Sequence, residues 1–310
     1  MWKYREFDHY PSCGISETEF CVALDFFRLP GLFVRKILVL ISALFAAFLF
    51  FTVRALADEA KKTESPAQIQ LRLGDLKFTA EEKGGPDEYS LKYSIDGEIV
   101  FQSECAFKIR EPRIIPDLPR PNCRSLLAYC FSGGAHCCLT LLIATDCGAK
   151  TSLNSVDLAH SDADIKLVKA GRKEGSLIKV IDWQFAYYSV ENSELELSFA
   201  DSPGMTRLLV FDGDRWRADR VGEFSAFYSG LLKKSLNSAQ KASRRGKETE
   251  SRVGKAITTA YYALMAGKST EDAAKILNRF LPPDWRLQSG RILEDIRQAV
   301  SGFNPVEVIR

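Results

Sequence analysis

Residues 37–53 read ILVLISALFAAFLFFTV, an uncharged apolar run. Arg35-Lys36 precede it, and Arg54-Ala55-Leu56-Ala57 and the acidic pair Asp58-Glu59 follow. No other feature restricts the chain as strongly, because this run decides the compartment in which everything after it folds. A basic flank, an apolar core and an A-x-A end are the parts of a secretory signal peptide. The small side chains of Ala55 and Ala57 suit a signal peptidase pocket, so residues 1–57 are read as an export segment cleaved after Ala57. The mature chain is then periplasmic or secreted. The alternative is an uncleaved single-pass anchor. A run of about 17 residues is at the short limit of a spanning helix, and Arg28, Arg35 and Lys36 would keep the N-terminus cytoplasmic. Residues 1–33 contain acidic side chains, Pro11, Pro30, Cys13 and Cys21, and do not read as part of a signal. Initiation at Val34 would give a signal of ordinary length; otherwise they form a short cytoplasmic extension.

Export changes how the cysteines are read. Six follow the signal: Cys105, Cys123, Cys130, Cys137, Cys138 and Cys147. An even number in an oxidising compartment points to disulfides, confined here to one segment of the chain. Zinc is the competing reading, with His136 beside Cys137 and Cys138. The spacing C-x6-C-C-x8-C lacks the paired C-x2-C knuckles of zinc sites. Adjacent cysteines on a strand also point to opposite faces. No metal and no cofactor are therefore expected. If the residues around Gly133-Gly134 close a four-residue hairpin loop, Phe131 faces His136 and Cys130 faces Cys137. A five-residue loop places Cys130 opposite Cys138. The expected pairs are Cys130–Cys137, Cys105–Cys123 and Cys138–Cys147.

Residues 58–66 are polar and read as a linker. Beyond them, Leu76-Lys77-Phe78 and the alternation of Tyr89, Leu91, Tyr93 and Ile95 predict strands. Asp96-Gly97 before Ile99-Val100-Phe101 is a type I′ hairpin signal. Four prolines from Pro112 to Pro121 mark an irregular connection. Further strands are predicted at 126–131, 136–144, 165–168, 177–183, 195–199 and 208–211, the last meeting Asp212-Gly213 and Arg215-Trp216 in another hairpin. From about Phe227 the periodicity becomes helical. Gly267 stops one helix, Ser269 caps the next, Pro282-Pro283 ends it, and Gly302 closes the last. With 46% hydrophobic and 26% charged residues the chain can bury a sizeable core. The expectation is an α+β chain. A disulfide-bonded, partly propeller-like or sandwich-like β-rich domain spans 67–226, and a small helical region spans 227–310.

The unusual string is Phe131-Ser132-Gly133-Gly134-Ala135-His136-Cys137-Cys138. It resembles the SGGAHCC segment of exported bacterial proteins related to FG-GAP/VCBS-type propeller repeats. Asp182-Trp183-Gln184-Phe185-Ala186-Tyr187-Tyr188, Asp201-Ser202-Pro203 and Leu209-Val210-Phe211-Asp212-Gly213 follow in the order that the resemblance implies. The likeness runs over roughly residues 89–300. It implies a fold and a compartment, and no particular activity. Members often carry a calcium-type D-x-D-G-D-G loop; here Asp212-Gly213-Asp214 is only a turn-like fragment. In physical terms Ser132, Gly133, Gly134, Ala135 and His136 make a tight turn, the two glycines allowing positive φ.

Function classes narrow by exclusion. No Walker loop, dinucleotide fingerprint or G-x-S-x-G occurs, and a net charge of +2 gives no general attraction to nucleic acid. His136 and His160 are the two histidines after the signal. The favoured reading is a non-enzymatic binding or structural module; an exported hydrolase with an unrecognised site, or an envelope-anchored protein, is the alternative. Between positions 233 and 255 eight basic residues face two acidic ones, a net +6. Lys234, Lys241, Arg245 and Arg252, at offsets 0, 7, 11 and 18, fall within roughly 20° of one direction if a single helix runs through. Such a stripe is either a solvated face or a contact for an anionic envelope surface or another envelope protein. The export reading is checked by intact mass: protein recovered from the periplasm is expected to begin at Asp58, whereas full-length chain in washed membranes would establish the anchor.

Overall fold

The structure is a computed structural model. It describes residues 68–83, 88–105, 112–131, 139–148, 151–159, 165–169, 175–191, 193–244 and 249–309. The export segment, the 58–66 linker and the whole 132–138 motif lie outside the described residues.

Three antiparallel meanders follow one another along the chain. Sheet A contains β1 (Gln68–Leu73), β2 (Leu76–Lys83), β3 (Glu88–Ile95) and β4 (Glu98–Cys105). Asp96 and Gly97 both take positive φ, 50° and 88°, so the β3–β4 connection is the primed turn that the sequence predicts. Sheet B begins with β5 (Arg113–Pro116), β6 (Arg124–Phe131), β7 (Leu139–Asp146) and β8 (Thr151–Asp157). Sheet C contains β9 (Lys166–Lys169), β10 (Ser176–Asp182), β11 (Met205–Phe211) and β12 (Trp216–Ala218). Asp212 and Gly213 lie in the β11–β12 connection as predicted, with Asp212 N–H donating to Arg215 C=O at 3.1 Å.

Side-chain alternation stacks these sheets. In β6, Leu126, Ala128 and Cys130 join the sheet A core with Phe78, Leu91 and Tyr93. Leu127 and Tyr129 point the other way and join Ile178, Val180, Leu209 and Trp216 of sheet C. Sheet B is therefore apolar on both faces, which is why 126–130 is a continuous buried run rather than an alternating one. The free face of sheet C is covered by helices α1 (Ser225–Arg244), α2 (Thr249–Met265), α3 (Thr270–Phe280), α4 (Pro283–Arg286) and α5 (Ser289–Gly302). Ser269 caps α3, its side chain accepting from Asp272 N–H at 3.1 Å. Gly254 of α2 is required by close approach: a Cβ there would stand 2.4 Å from the Asp201 carbonyl. After α5 the chain returns to sheet B as β13 (Val306–Val308), paired with β8. The chain is thus α+β and rich in strand. Among the described residues the sheets form layers, without a closed barrel or propeller.

Several expectations are corrected. Cys105 is bonded to Cys130, and Cys123 to Cys147, so none of the three expected disulfide pairs forms. The cause is register. Phe131 lies opposite Leu139 and Cys130 opposite Thr140, so Cys130 is set against neither Cys137 nor Cys138. Cys130 instead faces sheet A, where β4 ends in Cys105. At the other end of the hairpin Arg124 is opposite Asp146, which brings the flanking Cys123 and Cys147 together. Cys137 and Cys138 lie outside the described residues. The predicted 195–199 strand is also absent: Ser189 and Glu196 make one isolated bridge, and Phe199–Asp201 is a 3-10 turn. The two bridges have different tasks. Cys123–Cys147 closes one hairpin; Cys105–Cys130 ties two sheets. Each closes a loop of 24 or 25 residues, which contributes about 3 kcal/mol in the chain-entropy account. Replacing Cys105 and Cys130 together by serine is expected to lower unfolding free energy by about that amount, and mapping of unreduced peptides should recover both linkages.

Candidate functional site

Sequence candidates and structure part company in the helical region. Helix α1 ends at Arg244 and a second helix, α2, opens at Thr249, so no single helix carries Lys234, Lys241, Arg245 and Arg252. Lys234 and Lys241 are exposed two turns apart on α1, Arg252 is half-buried on α2, and Arg245 lies outside the described residues. The four-residue cationic stripe is therefore not formed as one helical face. His136, with Ser132, Gly133, Gly134 and Ala135, and His160 lie outside the described residues.

What the fold does assemble is a buried polar cluster where sheet C meets the helices. Arg207, on β11, is 1% exposed. Its Nε donates to Asp219 Oδ1 at 2.8 Å and its Nη2 to the Asp219 carbonyl at 2.8 Å. Its Nη1 donates to the Tyr261 hydroxyl of α2 at 2.8 Å and to the Val300 carbonyl of α5 at 3.3 Å. The guanidinium also lies 4.5 Å from the Phe303 ring centre, a cation–π contact just past α5. Tyr261 in turn donates to Asp182 Oδ2 at 2.8 Å, at the end of β10. Tyr228 of α1 donates to Asp219 Oδ2. One arginine thus links β10, β11, the segment after β12, three helices and the chain leading into β13. Loss of one partner from such a pair leaves a charge buried without compensation, which costs about 3–5 kcal/mol.

Burial pushes the carboxyls of Asp182 and Asp219 above the ordinary carboxylate range. Hydrogen bonds to Asp182 from Gln184 N–H and Tyr261, and the Arg207 charge and Tyr228 hydroxyl beside Asp219, pull the other way. Burial also opposes the charge on Arg207, but Tyr261 and Asp219 more than offset it and the guanidinium stays protonated.

Asp182, itself buried, is the member of this cluster that lies in a cavity wall. It forms part of the wall of a cavity of about 300 Å³ between the ends of β8 and β10 and residues 302–305. A second cavity, of about 230 Å³, lies between the loop after β10 and the last turns of α5. The two share Gln184 and Gly302 in their walls and so lie side by side on one grooved face around Gly302. The loop wall is held from both ends. Asp182 Oδ1 accepts from Gln184 N–H at 2.9 Å, and Tyr187, at φ 52°, donates its N–H to Ser202 Oγ at 2.8 Å. The Tyr188 hydroxyl donates to Asp295 Oδ2 of α5 at 2.7 Å, with Arg291 Nε 3.2 Å from the other oxygen. Trp183 stacks on Phe199, ring centres 5.6 Å apart.

A larger concavity of about 530 Å³ lies near the start of α1. Its acidic side chain, Glu223, is already held by both Arg217 Nη atoms and by Arg220 N–H, and Arg120, Ser176 and Ser225 also line it. The groove around Gly302 is the concavity with a member of the buried cluster, Asp182, in its wall. Neither Arg207 nor Asp219 is legible as a site residue in sequence; the available signal was a lone arginine inside the apolar strand Met205–Phe211. Comparison of this chain with protein-family models, curated proteins and solved structures gave no match.

A carboxyl whose value is raised by folding adds stability that is fully present below its unfolded value and is lost as pH rises through the folded one. Wild type is therefore expected to lose stability relative to Asp182→Asn as pH rises from about 4 towards 7. Paired denaturant titrations measure this; a difference that stays flat across the window would remove the raised value from Asp182.

Proposed function

We propose that this chain is an exported, disulfide-stapled β-rich module that binds a ligand in the groove around Gly302 and does not turn it over. The observation that carries the reading is the Arg207 cluster. It fastens β10, α2, α5 and the segment after α5 to one another, and β10, α5 and that segment contribute to the groove walls. A concave site on mutually braced elements is pre-organised, so little ordering is required when a ligand enters. The ionisable groups brought together behind the groove are engaged with each other: Asp182 and Asp219 both accept hydrogen bonds from fixed donors, and Arg207 directs its donors inward. This is the pattern of a structural network rather than of a nucleophile with a base.

Two disulfides between strand ends support an oxidising compartment, and the apolar run at 37–53 supplies the route to it. Three successive four-stranded meanders packed face to face support a relation to propeller-type repeats, whose neighbouring blades pack in the same way. Among the described residues no helix is long and apolar enough to cross a membrane. The test is native mass spectrometry of the oxidised mature chain mixed with a soluble cell-envelope extract. A retained component of unchanged mass is the expected result. Progressive conversion of an extract component, abolished by Asp182→Asn, would replace the module with the hydrolase reading.

A further inference from the structure

We infer that the outward face of α1 docks on a bilayer surface carrying anionic phospholipid headgroups. This rests on the export reading, which sets the mature chain beside a membrane, and is independent of the groove. The 20 residues of α1 include Lys233, Lys234, Lys241 and Arg244 and no Asp or Glu. All four cations are exposed, and among the described residues none of them is in an ion pair. The one acid of the neighbouring helix α2, Glu250, is bonded to none of them either.

Their placement is one-sided. At about 100° per residue, Lys233, Arg244, Lys241 and Lys234 fall within roughly 100° of arc. The buried Tyr228, Leu232, Ser235, Ala239 and Ala242 fall on the opposite side of the helix. This face differs from the stripe read in the sequence: Lys233 and Arg244 join Lys234 and Lys241 on one helix, and Arg245 and Arg252 are not needed. Two ordinary explanations cover part of it. Cations near a helix C-terminus offset the helix dipole, which accounts for Lys241 and Arg244, but the effect falls off within the last turn and leaves Lys233 and Lys234. A solvated face accounts for the exposure. Yet on α5 the exposed bases are set among acids, with Arg291 3.2 Å from Asp295 and Arg297 2.7 Å from Glu294. On α1 such acids are missing, and like charges three apart, as at Lys241 and Arg244, weaken a helix unless an outside anion meets them. A convex helix face makes no pocket for one small anion, whereas a bilayer presents many phosphates in a plane. Each Lys or Arg brought near such a surface adds about fivefold to affinity.

The oxidised chain from Asp58 onward, which contains every described strand and helix, is co-sedimented with vesicles of phosphatidylcholine alone and of phosphatidylcholine with phosphatidylglycerol, at low and high salt. Binding is expected to the phosphatidylglycerol vesicles only, and weaker as salt screens it. Replacing Lys233, Lys234, Lys241 and Arg244 together by glutamine should lower vesicle affinity at least tenfold. The same replacement at Arg72, Arg113, Lys166 and Lys169, exposed cations on β1, β5 and β9, removes equal charge and should lower it less than threefold. All eight side chains are exposed, so thermal midpoints should stay close to wild type. Sedimentation with neither vesicle or equally with both, or an equal loss in the two variants, overturns the inference. Tighter binding to a DNA duplex or to soluble glycerol phosphate than to the vesicles overturns the bilayer as partner. The export reading fails separately, on the intact mass of the periplasmic protein.

Discussion

The Arg207–Asp219 ion pair, almost wholly shielded from water, is the interaction on which the rest of the assembly depends. A buried pair is not stabilising by default, because desolvation of two charges can equal their attraction. Here the guanidinium directs each nitrogen at a fixed acceptor, and the second Asp219 oxygen takes the Tyr228 hydroxyl. The elements that meet at this pair come from distant parts of the chain, so it forms only when sheet C, the helices and the returning C-terminal segment are all in place. Such a cluster selects one arrangement over competing ones: any other packing leaves buried charge unmatched.

The layers beneath it follow from simpler patterning. Sheets A, B and C are consecutive meanders, so most strand pairing is local in sequence, and long-range order comes from the faces. Sheet B must be apolar on both sides to sit between its neighbours. Polar ties then fix how the layers are placed: Trp216 donates its indole N–H to Thr145 Oγ1 at 2.9 Å and its backbone N–H to Asn154 Oδ1 at 3.0 Å, from sheet C into sheet B. Cys105–Cys130 performs the covalent equivalent between A and B. The groove lies where this stack ends, at loops and chain termini that the buried cluster holds from below.

Local chemistry made part of this readable from sequence. Asp96-Gly97 and Asp212-Gly213 lie in the expected hairpin connections, Ser269 opens a helix, and Gly267 follows the end of another, because each signal acts within a few residues. Strand β13 was not legible, since three residues after a helix carry no local sign that they will pair with β8. The disulfide partners were misread for a related reason. A hairpin register set by a four-residue loop suggested Cys130 with Cys137, whereas the observed register and the facing sheet place Cys130 beside Cys105. The groove was illegible because its walls come from 157–159, 181–188 and 295–305, joined only by tertiary packing. Asp182-Trp183-Gln184 stood out in the sequence, but nothing local indicated that Tyr261 and Arg207 would stand behind Asp182.

One buried guanidinium ties β10 and α5, on the two sides of the groove, to each other. Hydrogen exchange on Arg207→Met, measured together with its unfolding free energy, tests this most directly. A loss of about 3–5 kcal/mol is expected, with faster exchange in residues 183–188 and in the last turn of α5 and sheet A unchanged. A loss below about 1 kcal/mol, with exchange in both walls as in wild type, would contradict it.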